Sequence, residues 1–176
     1  KVFVGDKSKK DLSEIQPLVE EIKKHEDAIA KLSLNELRDK SDEFRNIIKE
    51  DQKEIQQQID DLENRAETEN DINEKEDIYN QIDQLKDDRY EVEKVTLDAI
   101  LPEAFSVMKE TAKRFLENET LTVNATPFDR EISAQKSYVT LDGDQAKWSN
   151  SWDAAGKEVT WDMVHYFFQA EDGIRD

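Results

Sequence analysis

The sequence predicts a mainly α fold with a small β unit: N-terminal helices, then a long antiparallel helical hairpin, then a short β-hairpin region. Three observations predict it. In 176 residues, 39% are charged and only 36% hydrophobic, with 4 glycines and 3 prolines, a balance that favours helices with wide solvated faces and a thin core. Two long stretches carry apolar residues at spacings of three and four on one narrow stripe, separated by a polar link. After Asn118 the period drops to two and turn pairs such as Asp142-Gly143 enter.

Helical periodicity begins at Asp11, with Leu12, Ile15, Leu18, Val19, Ile22, Ala28, Ile29 and Leu32 on one side. Pro17 lies inside this stretch and is expected to kink its start or to mark its true first turn. Ser33-Leu34-Asn35-Glu36 has the form of a capping box, so a second helix is expected to start there. Its seam is Ile48, Ile55, Ile59, Leu62 and Ala66; the link TENDINE interrupts it, and a second seam runs through Ile78, Ile82, Leu85, Val92 and Val95, skipping Arg89. Stripes this narrow cannot hold single helices in water, so the two are expected to fold back and bury their seams together. A third helix is expected over Leu101–Asn118, with Pro102 at its first position and Ala104, Phe105, Met108, Ala112, Phe115 and Leu116 as a buried face. Beyond it, residues 121–126 alternate, 136–150 read as a hairpin turning at Asp142-Gly143, and a second hairpin around Ala155-Gly156 is expected to bring Trp152 and Trp161 together.

The residues offer little chemistry. A net charge of −18 opposes a nucleic-acid partner. His25 and His165 each lack a second ligand at metal spacing, and there is no cysteine. Asp142-Gly143-Asp144 lacks the remainder of a calcium loop. No Gly-rich phosphate loop and no nucleophile elbow occurs, and the paired acids read as solvated faces, so this stretch taken alone is expected not to be an enzyme. No apolar run reaches the roughly 20 residues of a membrane span, and a soluble, cytoplasmic protein is expected. The opening KVFVGDKSKK is locally basic behind an apolar tip, a pattern that can lean on anionic lipid or simply fray.

Four stretches, in order, carry a family resemblance: KVFVGDKSKKDL at the start, LRDKSDEFR at 37–45, LPEAFSVMKETAKR at 101–114 and MVHY at 163–166. Together they resemble the extreme N-terminus of SecA, the motor ATPase family of bacterial preprotein translocation. The resemblance implies the incomplete start of a P-loop, DEAD-like motor domain. By its pattern, Met163, Tyr166 and Gln169 would lie on the adenine side of a nucleotide, although the neighbours of Gln169 depart from the polar-Val-Gln-Leu-x-Gly-Gly that the family has there. Val2, Phe3, Lys7, Lys9 and Lys10 would touch the membrane. ATP and Mg would serve the intact parent, with no cofactor for this stretch by itself. The implied partners are the SecYEG channel, unfolded preproteins and anionic lipid, with a possible homodimer and a peripheral place on the inner face of the cell membrane.

The implied organisation is 1–50 as the N-terminal helical segment, 51–94 as an inserted hairpin arm, 95–118 as the LPEAF helix, 119–162 as an inserted β-rich segment and 163–166 as the start of the adenine-contact motif. Both inserted segments resemble extra segments of SecA proteins from Bacteroidetes-like bacteria. The tail FFQAEDGIRD at 167–176 resembles a translated sequencing-adapter read-through, so the chain is expected to be cut near Tyr166. The alternative reading is a non-enzymatic helical-hairpin scaffold or prefoldin-like holdase.

Overall fold

The computed structural model describes residues 5–164, the side chains of 5–12 and 14 excepted. Three helices come first, α1 (Gly5–Ile29), α2 (Leu34–Thr68) and α3 (Ile72–Glu117), followed by β1 (Thr120–Asn124), α4 (Pro127–Ser133), β2 (Val139–Asp142), β3 (Gln145–Ser149), β4 (Ser151–Ala154) and β5 (Lys157–Thr160). The chain divides into two compact units, one of Ser41–Leu101 and one of the residues on either side of it.

The first unit is the expected hairpin. Ile59, Ala66, Ile78 and Ile82 are buried together, with Ile55, Leu62 and Leu85 packed on them. Cross-helix ties pair rising numbers on α2 with falling numbers on α3: Asp51 with Thr96, Gln56 with Arg89, Glu63 with Lys86. The helices are therefore antiparallel. Each isoleucine buried in so thin a core contributes roughly 2 kcal/mol. The link is closed by Asp71, whose carboxylate accepts the backbone N–H groups of Asn73 (2.8 Å) and Glu74 (3.2 Å) and so caps α3. One seam assignment is corrected. Val95 is 69% exposed, and the buried position belongs to its neighbour Thr96. The Thr96 hydroxyl donates to Asp51 at 2.7 Å, and a polar residue so satisfied can occupy a seam that an apolar pattern search passes over.

In the second unit α1 buries Val19, Ile22 and Ile29, while Ile15 and Ala28 are exposed. Ser33 and Glu36 form the expected reciprocal cap, Ser33 N–H donating to Glu36 (2.7 Å) and Glu36 N–H to the Ser33 hydroxyl (3.3 Å). Neither interior proline marks a helix start: α1 runs through Pro17, and α3 runs through Pro102 instead of restarting there. A proline inside a helix costs about 3 kcal/mol, and α3 withstands it because it packs on both sides of Pro102, in the hairpin seam before and at Ser106, Val107 and Ala112 after. The buried face after Pro102 is also shifted. Ser106, Val107 and Ala112 form it, whereas Phe105, Met108 and Leu116 are exposed, since contacts with α1 select the edge of the apolar stripe nearest Ile22.

The β region forms two sheets. One has order β1-β3-β2, all antiparallel, and buries Leu121, Val123, Val139 and Ala146; the other is the β4-β5 hairpin. Its turns fall where expected, with Gly143 at positive φ between Asp142 and Gln145, and Ala155 and Gly156 both at positive φ between Ala154 and Lys157. Two expectations change. The ladder places Val159 opposite Trp152, and Trp161 lies one diagonal further along, its backbone N–H donating to the Asn150 carbonyl at 2.8 Å. A helix, α4, interrupts the strands; Thr126-Pro127-Phe128-Asp129 starts it with a full capping box and proline at its first turn.

Candidate functional site

Among the described residues of the second unit Asp129 is the most deeply buried polar group, 0% exposed at the first turn of α4. The Arg38 guanidinium meets it as a fork, Nη2 donating to Oδ1 at 2.7 Å and Nη1 to Oδ2 at 2.8 Å. Trp148 Nε1 donates to Oδ1 at 2.9 Å, and the Thr126 N–H and hydroxyl donate to Oδ2 at 2.7 and 2.9 Å. Burial pushes the Asp129 carboxyl up, but the hydrogen bonds from Arg38, Thr126 and Trp148 outweigh it and bring its pKa to about 2. A carboxylate with its lone pairs so filled cannot exchange protons near neutrality. It is a knot, holding the start of α2 to α4 and, through Trp148, to the sheet. Trp148 is flanked by Phe128 at 6.4 Å and Tyr138 at 6.2 Å between ring centroids. Asn35 completes the attachment, its Oδ1 accepting the Asn124 N–H at 2.8 Å.

A second set of ties joins α1, α2 and α3. Lys40 pairs with Glu103 at 2.7 Å and Lys109 with Glu26 at 2.6 Å. The buried Ser106 hydroxyl donates to the Ile22 carbonyl at 2.8 Å. Arg114, held by Glu110 at 2.8 Å, donates to the Leu32 carbonyl at 2.7 Å, just beyond the last turn of α1. Arg38 and Lys40 belong to the stretch LRDKSDEFR, and Glu103, Ser106, Lys109, Glu110 and Arg114 to LPEAFSVMKETAKR. The two motifs of the sequence, some sixty residues apart, are the two sides of one brace.

Of the residues expected on the adenine side, Met163 is 50% exposed beside the buried Val164, while Tyr166 and Gln169 lie outside the described residues. Lys7, Lys9 and Lys10 fall on the backbone of α1 with side chains outside the description; Val2, Phe3 and His165 lie outside it altogether. A half-exposed thioether offers an apolar surface suited to a purine face. Nothing in the sequence supplies a phosphate loop, and among the described residues no cluster of acids and histidines could hold a metal ion. The described residues thus offer no arrangement for a nucleotide's phosphates or Mg. No described helix is long and apolar enough to cross a membrane. The open groove on the hairpin, lined by Gln58, Asp61, Leu62, Gln81, Gln84 and Leu85, combines amides with seam residues and has no catalytic pair.

The family model of the SecA DEAD-like domain matches residues 1–135. The chain belongs to the SecA family. The protein translocase subunit SecA of Christiangramia forsetii is 56% identical over 174 residues, that of Flavobacterium psychrophilum 52% over 174, and that of Bacteroides fragilis 41% over 171. These alignments cover 97–99% of this chain, so they run through the hairpin and both sheets, but only 15–16% of each relative. The aligned stretch is the N-terminal part of SecA. No solved structure matches. A free-standing scaffold gives no reason for a family match across residues 1–135.

Asp129, Thr96 and α4 escaped the sequence reading. The Thr-x-x-Asp cap with an intervening proline was the available signal for α4; nothing in the spacing of Arg38 and Asp129, 91 residues apart, signalled their pairing.

Proposed function

We propose that this chain forms the opening part of an ATP-driven motor that moves unfolded preproteins through the SecYEG channel, and that it frames the base side of the nucleotide site. Met163, Tyr166 and Gln169 would meet the adenine. ATP and Mg would serve the intact motor, whose phosphate-binding and hydrolytic residues would come from outside this chain. Val2, Phe3, Lys7, Lys9 and Lys10 would touch anionic lipid at the inner face of the cell membrane, and the motor would assemble as a homodimer. Within that division of labour, residues 1–50 and 95–118 are the motor's frame, and 51–94 and 119–162 are additions to it.

The observation that carries this reading is the brace: the motif residues Lys40, Glu103, Lys109 and Arg114 fix α1, α2 and α3 to one another in the unit that leads to Met163. A frame of that kind suits a site whose chemistry is supplied by other segments. The test is a long sequencing read of the source DNA across the codons for Tyr166 and Phe167, followed by expression of the frame it reveals. A frame that continues into Val-Gln-Leu-x-Gly-Gly and a G-x-x-x-x-G-K-[ST] loop, with a product whose ATPase rises with unfolded preprotein and anionic vesicles, supports the reading. A product that carries no such loop and hydrolyses no ATP overturns it.

A further inference from the structure

Asn150 stands between β3 and β4, where the chain leaves one sheet and enters the other. Its three polar groups serve three different segments. Its backbone N–H donates to the Glu119 carbonyl at 3.0 Å, extending the β1-β3 ladder by one step. Its backbone carbonyl accepts the Trp161 N–H at 2.8 Å, extending the β4-β5 ladder by one step toward Met163. Its side-chain amide donates to the Phe115 carbonyl at 3.3 Å, in the last turn of α3. The last four carbonyls of a helix have no partner within it, so this amide satisfies one of those orphan acceptors. Replacing it would leave both ladders in place and remove only the tie to the helix.

We infer that Asn150 is a positioning residue that sets the segment carrying Met163 relative to the C-terminal end of α3, and so tunes selectivity for the adenine base. This rests on the proposed adenine-side role of Met163. A main-chain hydrogen bond from Trp161 holds the segment to Asn150, and among the described residues the side-chain bond by which Asn150 reaches the helix is the one from its amide. Asn150→Ala deletes that donor. Asn150→Asp replaces it with a carboxylate facing a carbonyl, two acceptors in opposition, and is the stronger perturbation.

The experiment uses the full-length protein encoded by the source gene and compares KM and kcat for ATP and GTP in the parent, Asn150→Ala and Asn150→Asp, with the melting temperature of each. The expected result is a KM for ATP raised about threefold by Asn150→Ala and about tenfold by Asn150→Asp, the span of one hydrogen bond's net contribution. KM for GTP should change less, so the preference for ATP narrows while kcat stays within about twofold. Two results overturn the inference: an unchanged ATP preference in folded variants, or equal weakening toward both nucleotides in step with a lower melting temperature, which marks a purely structural tie. If Asn150→Asp fails to fold, Asn150→Ala decides alone. Failure of the parent itself to hydrolyse ATP is a different result and strikes the motor reading, not the role of Asn150.

Discussion

The two units of this chain are held together by opposite means. The hairpin, Ser41–Leu101, relies on one apolar seam a few residues wide, and with 20 Asp and Glu against 8 Lys and Arg its net charge works against it, an exposed pair such as Glu63–Lys86 offsetting little of that. The other unit has a modest apolar core but is fastened by long-range polar ties: Arg38 to Asp129, Lys40 to Glu103, Lys109 to Glu26, Arg114 to the end of α1. A seam tolerates exchange of one apolar residue for another and little else; a polar knot fails when one partner is lost but leaves its surroundings in register. The first construction suits a module that only has to stay helical, the second a frame that must hold several segments at set positions.

The comparison has built-in reporters. All three tryptophans, Trp148, Trp152 and Trp161, lie outside the hairpin, so their fluorescence reads the framed unit, whereas the hairpin shows chiefly in helical circular dichroism. The largest effect is expected from Ile82→Asp. Ile82 is 1% exposed in the centre of the seam, and the change removes its packing and inserts a charge with no partner, for about 4 kcal/mol. Helical circular dichroism of the 176-residue chain should fall at low urea while tryptophan fluorescence keeps its original midpoint. Simultaneous loss of both signals would show that the seam is not the hairpin's separate support.

Arg38→Met probes the other construction. It leaves Asp129, fully buried, without its counter-charge, at a cost of about 3 kcal/mol. Urea unfolding followed by tryptophan fluorescence should shift accordingly, with the hairpin's helical signal retained. Asp129 is one of the groups that link this unit to pH, beside Glu20, Glu36 and Asp142, whose carboxyls hydrogen bonds also hold below their ordinary values. The pKa of Asp129 is lowered from 3.8 to about 2 in the folded protein, so the folded state favours the ionised form. The stabilisation, about 2 kcal/mol, is fully present above pH 4 and is lost as pH falls through 2. An Asp129→Asn variant should unfold with a flatter dependence on pH between 4 and 2 than the parent, as measured by urea midpoints at each pH. Parallel slopes would mean that other carboxylates dominate the acid transition.

The difference between the units also explains what could be read from residues alone. Periodicity reports apolar faces, so the hairpin, its polar link and the antiparallel pairing were legible from Ile59, Ile78 and Ile82, as were the turns at Gly143 and Gly156, which need φ values that glycine adopts freely. It failed where polar groups do the fastening. Thr96 occupies a seam position that Val95 was expected to fill, α4 sits in a region read as strands, and α3 continues through a proline that propensity treats as a start. For Thr96 and for the helix beyond Pro102 a partner distant in sequence decides the outcome, Asp51 and α1 respectively, whereas α4 is started by a local cap, Thr126 with Asp129, which a reading for alternation passes over. The motifs that carried the family resemblance were recognisable as strings, but why they hold those residues follows only from Lys40 meeting Glu103 and Arg114 meeting the end of α1.

The smallest effect sharpens the contrast most, because each unit buries one hydroxyl on α3. Ser106 is 2% exposed and donates to the Ile22 carbonyl at 2.8 Å; Thr96 is 5% exposed and donates to the Asp51 carboxylate at 2.7 Å. The acceptors differ in what happens when the donor is removed. The Ile22 carbonyl is enclosed against α3, so in Ser106→Ala water cannot replace the hydroxyl, and a loss of about 1 kcal/mol is expected in the fluorescence-detected midpoint. Asp51 is an exposed residue, and in Thr96→Val its carboxylate can turn to solvent while valine keeps the shape of the seam, so the helical midpoint should move by less than about 0.5 kcal/mol. The stronger acceptor in isolation is the carboxylate, and the ranking is reversed because desolvation, not bond strength, sets the net cost. If Thr96→Val proves the more damaging of the two, the hairpin depends on a polar tie as the framed unit does, and the distinction between seam and knot fails.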